Sequence, residues 1–282
     1  MAAGYVTRTM RPDEVGLAIG WAAREGWNPG LHDAQTFRAA DPQGFFVGTL
    51  QGEPVASISV VRYEPAFAFL GLYIVRPEWR GRGLGWALWQ HGMASAAGRR
   101  VGLDGVPAQQ PNYRKSGFEL AWRNMRHEGR GGASAPADAR IVDLAGVPFA
   151  AVCAYDRAYF PAERTAFLRA WLAQPDAAGR GWIEDGRLQG YGLVRRCRSG
   201  GTIGPLFAEG EAIAEGLYLA LCSRVGADEA VCLDLPESNP AALALAQRHG
   251  MRMVFETARM YTGRPPPVTL HGLYGITSFE LG

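Results

Sequence analysis

Residues 73–85 read YIVRPEWRGRGLG and join a predicted strand to a predicted helix. This stretch ends an apolar run, Phe67–Val75, that predicts a buried β-strand, and it leads into a helix predicted from about Leu84 to Ala97. The first turn of a helix leaves backbone N–H groups unpaired and carries a partial positive charge, so it attracts phosphate. Glycine lets the main chain approach a phosphate without a Cβ clash, and arginine adds charge-assisted contacts. The sequence therefore predicts a site for a phosphorylated ligand.

The spacing of the glycines excludes two common phosphate-binding loops. Gly81, Gly83 and Gly85 stand at i, i+2 and i+4, whereas the dinucleotide-binding fingerprint has glycines at i, i+2 and i+5. No Gly-Lys-Ser/Thr follows, which excludes a Walker-type loop. The remaining alternative at this point is a glycine-rich turn that binds no ligand.

The two halves of the chain follow a similar order of predicted elements. The first half reads as mixed α and β, and the second approximately repeats its strands and helices. Between them, Gly129 to Asp138 is rich in Gly, Ala, Ser and Pro and is the best linker candidate. We therefore predict an α/β fold with two related domains, at residues 1–130 and 139–282.

The segment Arg80 to Gly85 resembles the acetyl-CoA motif of the GNAT-type N-acetyltransferase superfamily, Arg/Gln-x-x-Gly-x-Gly/Ala. The resemblance spans roughly residues 4 to 128, and the whole chain is similar to bacterial two-domain acetyltransferases. It implies two tandem domains, each a mostly antiparallel central sheet flanked by helices. It also implies acetyl-CoA as co-substrate and direct transfer of the acetyl group to an amine in a ternary complex. The cofactor-binding residues that it implies near the motif are Tyr73, Ile74, Val75, Arg80, Gly81, Arg82, Gly83, Leu84 and Gly85.

A second resemblance lies in the run Asn112 to Phe118, which looks like a shortened form of the family pattern Asn-x-x-Tyr-x-x-x-Gly-Phe. Here the Asn stands directly beside the Tyr instead of further upstream. The resemblance implies that Tyr113 is the general acid that protonates the departing thiolate and that Asn112 contacts the cofactor. A phenol suits donation to a thiolate. The alternative for Tyr113 is packing at a helix end.

The base and the acceptor site are harder to place. The family often uses a Glu near the glycine-rich strand, which makes Glu64, at the entrance to that strand, the first candidate for the base. Glu25 and Asp33 are further candidates. They flank a loop in which Trp27 and Asn28 are predicted to shape the acceptor pocket; the alternative is a loop that packs Trp27 into the core.

The second half lacks the motif, because its corresponding strand is followed by Ala208-Glu209-Gly210-Glu211. Acidic residues at a helix start repel a pyrophosphate. Ala246 stands where the first half has Tyr113. We therefore predict a degenerate GNAT-like domain without acetyl-CoA, in which Tyr155 and Asp156 contribute to the acceptor site; the alternative is an amphipathic helix pair with a solvated charged face.

Composition limits the other partners. The 282 residues include 29 basic and 27 acidic side chains, a net charge of +2 that gives no electrostatic reason to expect nucleic acid or a membrane surface. The four cysteines and five histidines show no metal-ligand spacing, and the N-terminus lacks a hydrophobic signal core. We expect a cytoplasmic monomer or homodimer that uses no metal and acts on a small-molecule or peptide amine. Two alternatives stay open: a regulatory module that binds CoA or acyl-CoA without turnover, and an acyltransferase for longer acyl groups.

Overall fold

The computed structural model describes residues 3–282, which form alternating strands and helices. The first half folds into β1 (Tyr5–Thr9), α1 (Val15–Arg24), α2 (Asp33–Ala40), β2 (Phe45–Leu50), β3 (Glu53–Tyr63), β4 (Phe67–Val75), α3 (Leu84–Ser95), β5 (Arg100–Gly105), α4 (Gln110–Lys115) and β6 (Phe118–Arg130). The second half folds into β7 (Ile141–Asp143), α5 (Phe149–Asp156), α6 (Thr165–Leu172), β8 (Ala177–Glu184), β9 (Arg187–Arg196), β10 (Gly201–Ala208), α7 (Glu211–Cys222), β11 (Ala230–Pro236), α8 (Pro240–Arg248), β12 (Arg252–Thr262) and β13 (Leu273–Gly275).

These strands form one continuous sheet with the order β1-β2-β3-β4-β5-β12-β6-β11-β10-β9-β8-β7, and β13 pairs with β10. The pairs β4–β5 and β10–β11 are parallel, and the other pairs of neighbours along this order are antiparallel. The predicted fold class, a mixed and mostly antiparallel sheet flanked by helices, is therefore confirmed.

The middle of the sheet contains an exchange of strands between the two halves. β12 lies between β5 and β6, with Ala258 opposite Gly105 and also opposite Arg123. β6 in turn pairs with β11, with Leu233 opposite His127. The last long strand of each half thus completes the sheet of the other half. The boundaries at residues 130 and 139 stay a prediction.

The two halves also share a hydrophobic core. One cluster of buried side chains joins Phe37 of α2 and Phe45 of β2 to Phe167 and Trp171 of α6. The rings of Phe37 and Trp171 stack with centroids 6.0 Å apart. Burial of aromatic surface across this contact stabilises both halves together.

Local sequence signals explain several element ends. The Asn239 side chain accepts hydrogen bonds from the N–H groups of Ala241 and Ala242 and so caps α8. The turn Asp185-Gly186 joins β8 and β9 as a hairpin, and both residues have positive φ, as a tight two-residue turn requires.

The end of the described chain differs from its prediction. An apolar strand is expected over Leu273–Phe279, but β13 ends at Gly275, where its pairing with Leu206 of β10 stops. Residues 276–282 continue without a ladder and are buried throughout. Within residues 3–282, no helix combines the length and the apolar character that a membrane crossing needs.

Candidate functional site

β4 and β5 separate part of the way along their length. They pair in parallel from Phe67 opposite Arg100 to Leu70 opposite Leu103, and the pairing ends there. On its other edge β4 stays paired to β3, with a bulge at Leu72, whose φ is +47° and whose carbonyl accepts a hydrogen bond from Ser57 Oγ at 2.8 Å. The edge of β4 from Gly71 onward therefore faces an opening instead of a neighbouring strand.

A narrow cleft with about 60 Å³ of free space occupies this opening. Residues from β4, β5, α4, β12 and three connecting or terminal segments line it: Trp27, Leu70, Gly71, Leu72, Tyr73, Leu103, Asp104, Val106, Gln109, Tyr113, Phe255, Thr257, Phe279 and Glu280. The walls are mainly apolar, with a few polar groups that converge on the opening, as is common in small-molecule sites.

The glycine-rich segment connects the end of β4 to α3. Gly81 and Gly83 both have φ of +74°, a conformation that suits glycine, and α3 begins at Leu84. Within the described part of the chain, no acceptor takes a hydrogen bond from the backbone N–H groups of Gly81 to Trp86. These donors at the start of a helix form the arrangement that binds a phosphate or another anion.

The two arginines of the segment have different surroundings. Arg80 Nε donates to the Val75 carbonyl at 2.8 Å, and its guanidinium also pairs with Glu25. Arg82 lies over the Trp79 ring, with its guanidinium carbon 4.7 Å from the ring centroid. No carboxylate among residues 3–282 pairs with Arg82, so its charge is available to an anionic ligand.

Tyr113 lies on α4 with its ring buried and stacked on Trp89 at 5.6 Å, and it borders the cleft. Burial raises the pKa of Tyr113 above its ordinary value, so its phenol stays protonated at neutral pH. Burial likewise raises the pKa of Tyr73, on the facing strand, to about 12. Asn112 is exposed and its amide donates to Gln109 Oε1 at 2.9 Å.

Glu280 is a cleft residue that the sequence reasoning missed. It is 6% exposed and borders the cleft together with Tyr113, Tyr73 and Phe279. Its backbone packs so closely on Gly71 that a Cβ at Gly71 would collide with it. The available signal is that Glu280 is the charged residue in the otherwise uncharged run from Leu273 to Leu281.

The prediction that Glu64 supplies the base is not supported by its place. Glu64 precedes the far end of β4, is exposed and pairs with Arg99 at 2.7 Å. The open part of β4 begins at Gly71, four residues or about 13 Å along the strand from Phe67. The other two candidates are also occupied: Glu25 pairs with Arg80, and buried Asp33 pairs with Arg195 at 3.0 Å.

Only one of the two residues predicted to shape the acceptor pocket, Trp27 and Asn28, lies at the cleft. Trp27 borders the cleft, and its carbonyl accepts a hydrogen bond from Arg126 at 2.8 Å. Asn28 points away from it: its amide donates to the Ser199 carbonyl at 2.8 Å and accepts from the Ser199 N–H at 2.9 Å. Asn28 thus ties the loop to the second half instead of lining the cleft.

Tyr155 and Asp156 do not lie at the cleft. The Tyr155 hydroxyl donates to the Gln189 carbonyl at 2.7 Å inside the second half. Asp156 is buried, pairs with Arg164 at 2.7 Å and accepts from the Tyr191 hydroxyl at 2.6 Å. The alternative of a solvated charged face is wrong for Asp156 as well, because this carboxylate belongs to a buried network.

The second half contains the counterpart of the cleft, but its own chain fills it. β10 and β11 pair from Gly201 opposite Val231 to Ile203 opposite Leu233 and then separate. β13 enters the gap, with Gly275 opposite Leu206, and the Ile276 N–H donates to the Asp234 carbonyl at 2.8 Å. The absence of a glycine-rich loop and this filled gap agree with a domain that does not bind a nucleotide-like cofactor.

Two family models match the chain. The model described as the acetyltransferase (GNAT) family covers residues 14–118, and the model described as an acetyltransferase (GNAT) domain covers residues 152–275. The two matches lie on either side of the predicted linker.

Similar proteins cover the chain from end to end. A holothin acyltransferase from Pseudoalteromonas sp. (strain SANK 73390) is 31% identical over 99% of this chain and 96% of that protein. The crystal structure of a putative acetyltransferase from Pyrococcus horikoshii superposes with a TM-score of 0.86 at 22% identity, covering 100% of this chain and 97% of the other. A tandem GNAT protein from the clavulanic acid biosynthesis pathway gives a TM-score of 0.63 at 16% identity over 93% and 99% of the two chains. The structural likenesses establish the tandem fold.

Proposed function

The chain belongs to the GNAT superfamily of acyltransferases with tandem domains, and from that premise we propose that it transfers the acetyl group of acetyl-CoA to an amine. The proposal rests on two adjoining features, an open strand edge and a helix start with unpaired N–H groups. The open edge of β4 leads directly into the unpaired N–H groups of Gly81 to Trp86 at the start of α3.

The residues of this path fit the parts of acetyl-CoA in order. The N–H groups of Gly81 to Gly85, with Arg82 beside them, suit the pyrophosphate because they supply donors and positive charge. The main chain of Tyr73, Ile74 and Val75 offers a strand edge to the amide groups of the pantetheine arm. A backbone N–H on that edge also polarises a thioester carbonyl. The cleft beyond it holds the acetyl group and the acceptor.

Tyr113 supports direct transfer. The acceptor nitrogen attacks the thioester carbon, the C–N bond forms, and the C–S bond breaks with the electron pair on sulfur. A protonated phenol at the cleft wall supplies the proton that turns the CoA thiolate into the thiol. None of the four cysteines borders the cleft, so a covalent acyl-cysteine step has no support among the described residues.

The acceptor side of the cleft favours a small amine with an apolar body. Trp27, Phe255 and Phe279 form an aromatic wall, and Glu280 is a carboxylate among them. Aromatic surface binds an apolar skeleton, and a carboxylate attracts an ammonium group. Because a similar protein is named a holothin acyltransferase, holothin belongs in the first panel of acceptors.

The test is release of free thiol from acetyl-CoA in the presence of holothin, other small amines, amino acids and short peptides, with the acylated product identified by mass spectrometry. We expect turnover with at least one small amine. Binding of acetyl-CoA without thiol release from any amine favours the regulatory module. A kcat/KM that rises with acyl chain length favours a longer acyl donor; the narrow cleft predicts that acetyl-CoA is preferred.

A further inference from the structure

The segment of residues 272–282 is buried along its whole length and is held by both halves. In the second half, Arg164 donates to Thr277 Oγ1 at 2.9 Å and to the Gly282 main-chain oxygen at 3.1 Å. In the first half, the Tyr63 hydroxyl donates to the Leu281 carbonyl at 3.3 Å. The segment is therefore a fixed part of the core.

The path of the segment joins the two clefts. It enters the gap between β10 and β11 as β13 and passes Gly204, where a Cβ would collide with the Thr277 carbonyl oxygen. It then reaches Gly71 at the separation of β4 and β5, where a Cβ would collide with Glu280. Glycine at both positions allows this approach, and the result is that Glu280 borders the open cleft.

Among residues 3–282, the carboxylate of Glu280 has no side-chain partner and is hydrogen-bonded only by its own backbone N–H. No side chain in residues 3–282 forms an ion pair or hydrogen bond with it, although 94% of the residue is shielded from solvent. Most buried carboxylates are paired, as Asp33, Asp104, Asp156 and Asp234 are here. A carboxylate without a side-chain partner, in a residue that lines the same cleft as a phenol, is a candidate for proton transfer with a ligand.

We propose that Glu280 is the base that accepts the proton of the acceptor ammonium, and that the 272–282 segment carries it from the second half into the cleft of the first. This inference rests on the proposed transfer to an amine. The first proton of the ammonium moves to the Glu280 carboxylate and frees the nitrogen lone pair for attack. The second N–H proton, lost as the amide forms, passes to the Tyr113 phenolate and replaces the proton that Tyr113 gave to the CoA thiolate. Glu280 then releases its proton to solvent.

The electrostatic surroundings suit this role. Burial raises the pKa of Glu280 to about 7, and the nearby carboxylate of Asp33 adds to the rise, while Arg195 and Arg126 oppose it. Tyr73, Tyr113 and the Arg259-paired Asp104 complete the ionisable groups of the cleft. A base with a pKa close to the working pH transfers protons efficiently.

The test replaces Glu280 with glutamine, which preserves shape and removes the base. We expect kcat to fall at least about 100-fold, and the acid limb of the pH–rate profile near pH 7 to disappear. Acetyl-CoA should bind with an unchanged Kd, which shows that the cleft is intact. The matched control is Glu64→Gln, which changes an exposed carboxylate outside the cleft and should leave kcat unchanged.

A second measurement separates a base from a structural residue. Amines of low pKa are already unprotonated at pH 7, so the deficit of Glu280→Gln should shrink as the pKa of the acceptor falls. An equal deficit with all acceptors, or a kcat within threefold of wild type, overturns the role of Glu280 while leaving the proposed function standing. A wild-type protein that acylates no amine overturns the proposed function and this inference with it.

Discussion

In the first half, β4 and β5 remain paired as far as Leu70 and Leu103; in the second, β10 and β11 remain paired as far as Ile203 and Leu233. A glycine and an aspartate follow at both places, Gly71 with Asp104 and Gly204 with Asp234. The first opening stays free and leads to a glycine-rich helix start, whereas β13 fills the second. The opening between two separated strands can thus be filled without loss of the fold, because a peptide segment supplies the backbone partners that the separated strands need.

The two aspartates also show how the halves depend on each other. Asp104 pairs with Arg259 of β12, and Asp234 pairs with Arg126 of β6, each at 2.7 Å and each buried. Both arginines lie on the exchanged strands. The two clefts are therefore built on reciprocal ion pairs, and neither half has a complete sheet by itself.

The largest effect should come from breaking these pairs. Arg259→Ala and Arg126→Ala each leave a buried aspartate without its partner, so we expect each to lower the free energy of unfolding by about 3–5 kcal/mol. Denaturant unfolding followed by circular dichroism and by tryptophan fluorescence measures the loss. The control is Arg248→Ala, which removes a partly exposed pair with Glu215 and should cost about 1 kcal/mol or less.

The strand exchange also predicts the number of transitions in these denaturant unfolding curves. Both halves should unfold in a single transition that the two probes report at the same denaturant concentration. Two separate transitions, with each arginine variant affecting only one of them, would show that the halves are independent and that the exchange contributes little.

The next effect is the pH dependence of the free energy of unfolding that Glu280, at the open cleft, contributes. The raised pKa of Glu280 means that the folded protein keeps a proton that the unfolded chain releases above its ordinary pKa. Stability from this group is present below about pH 4.5 and is lost as the pH rises to about 7, with a total of roughly 3 kcal/mol. Glu280→Gln should therefore unfold at a higher temperature than wild type at pH 8 and at a similar temperature at pH 4. Equal melting temperatures of Glu280→Gln and wild type at pH 8 would contradict a raised pKa of Glu280.

Tyr113 and Ala246 occupy corresponding places in the two halves, and only the first borders an open cleft. Tyr113→Phe removes the proton donor and keeps the ring stacked on Trp89, so kcat should fall about 100-fold with little change in acetyl-CoA binding. Tyr218→Phe, in the core of the second half, is the matched control and should leave kcat unchanged. A wild-type kcat in Tyr113→Phe would contradict the role of Tyr113 as the general acid.

A smaller effect is expected from Gly71→Ala. The added methyl group pushes against the backbone of Glu280 and moves the carboxylate, so kcat should fall about tenfold because misplaced catalytic groups lose efficiency. Gly20→Ala, on α1 where nothing lies near the added Cβ, serves as the control. Unchanged kcat in Gly71→Ala means that the position of the 272–282 segment does not matter for catalysis.

Features built from residues close together in the chain can be predicted from the sequence, whereas features built from distant residues cannot. The glycine-rich helix start can be predicted because strand, glycines and helix follow one another within residues 67–95, and Tyr113 is a candidate because of its distance to Gly117. Glu280 cannot be predicted, because the cleft residues Gly71 and Tyr113 are more than 150 residues away from it along the chain and no periodicity encodes that proximity. Closeness in sequence to β4 favours Glu64 as the base, but Glu64 precedes the end of that strand at which β4 and β5 are still paired. The strand exchange cannot be predicted from the sequence either. Alternating polar and apolar residues predict a strand but not the strand with which it pairs.

The most direct test of the difference between the two clefts is the number of acetyl-CoA molecules bound per chain, measured by isothermal titration calorimetry. The open cleft predicts one site in the wild type. Gly83→Val should weaken binding about 100-fold, because a β-branched residue is strained at φ of +74° and its side chain obstructs the N–H groups at the start of α3. Gly210→Val, at the extended residue before α7 in the second half, should leave binding unchanged. Two sites per chain in the wild type, or full-strength binding to Gly83→Val, would contradict a single cofactor cleft between β4 and β5.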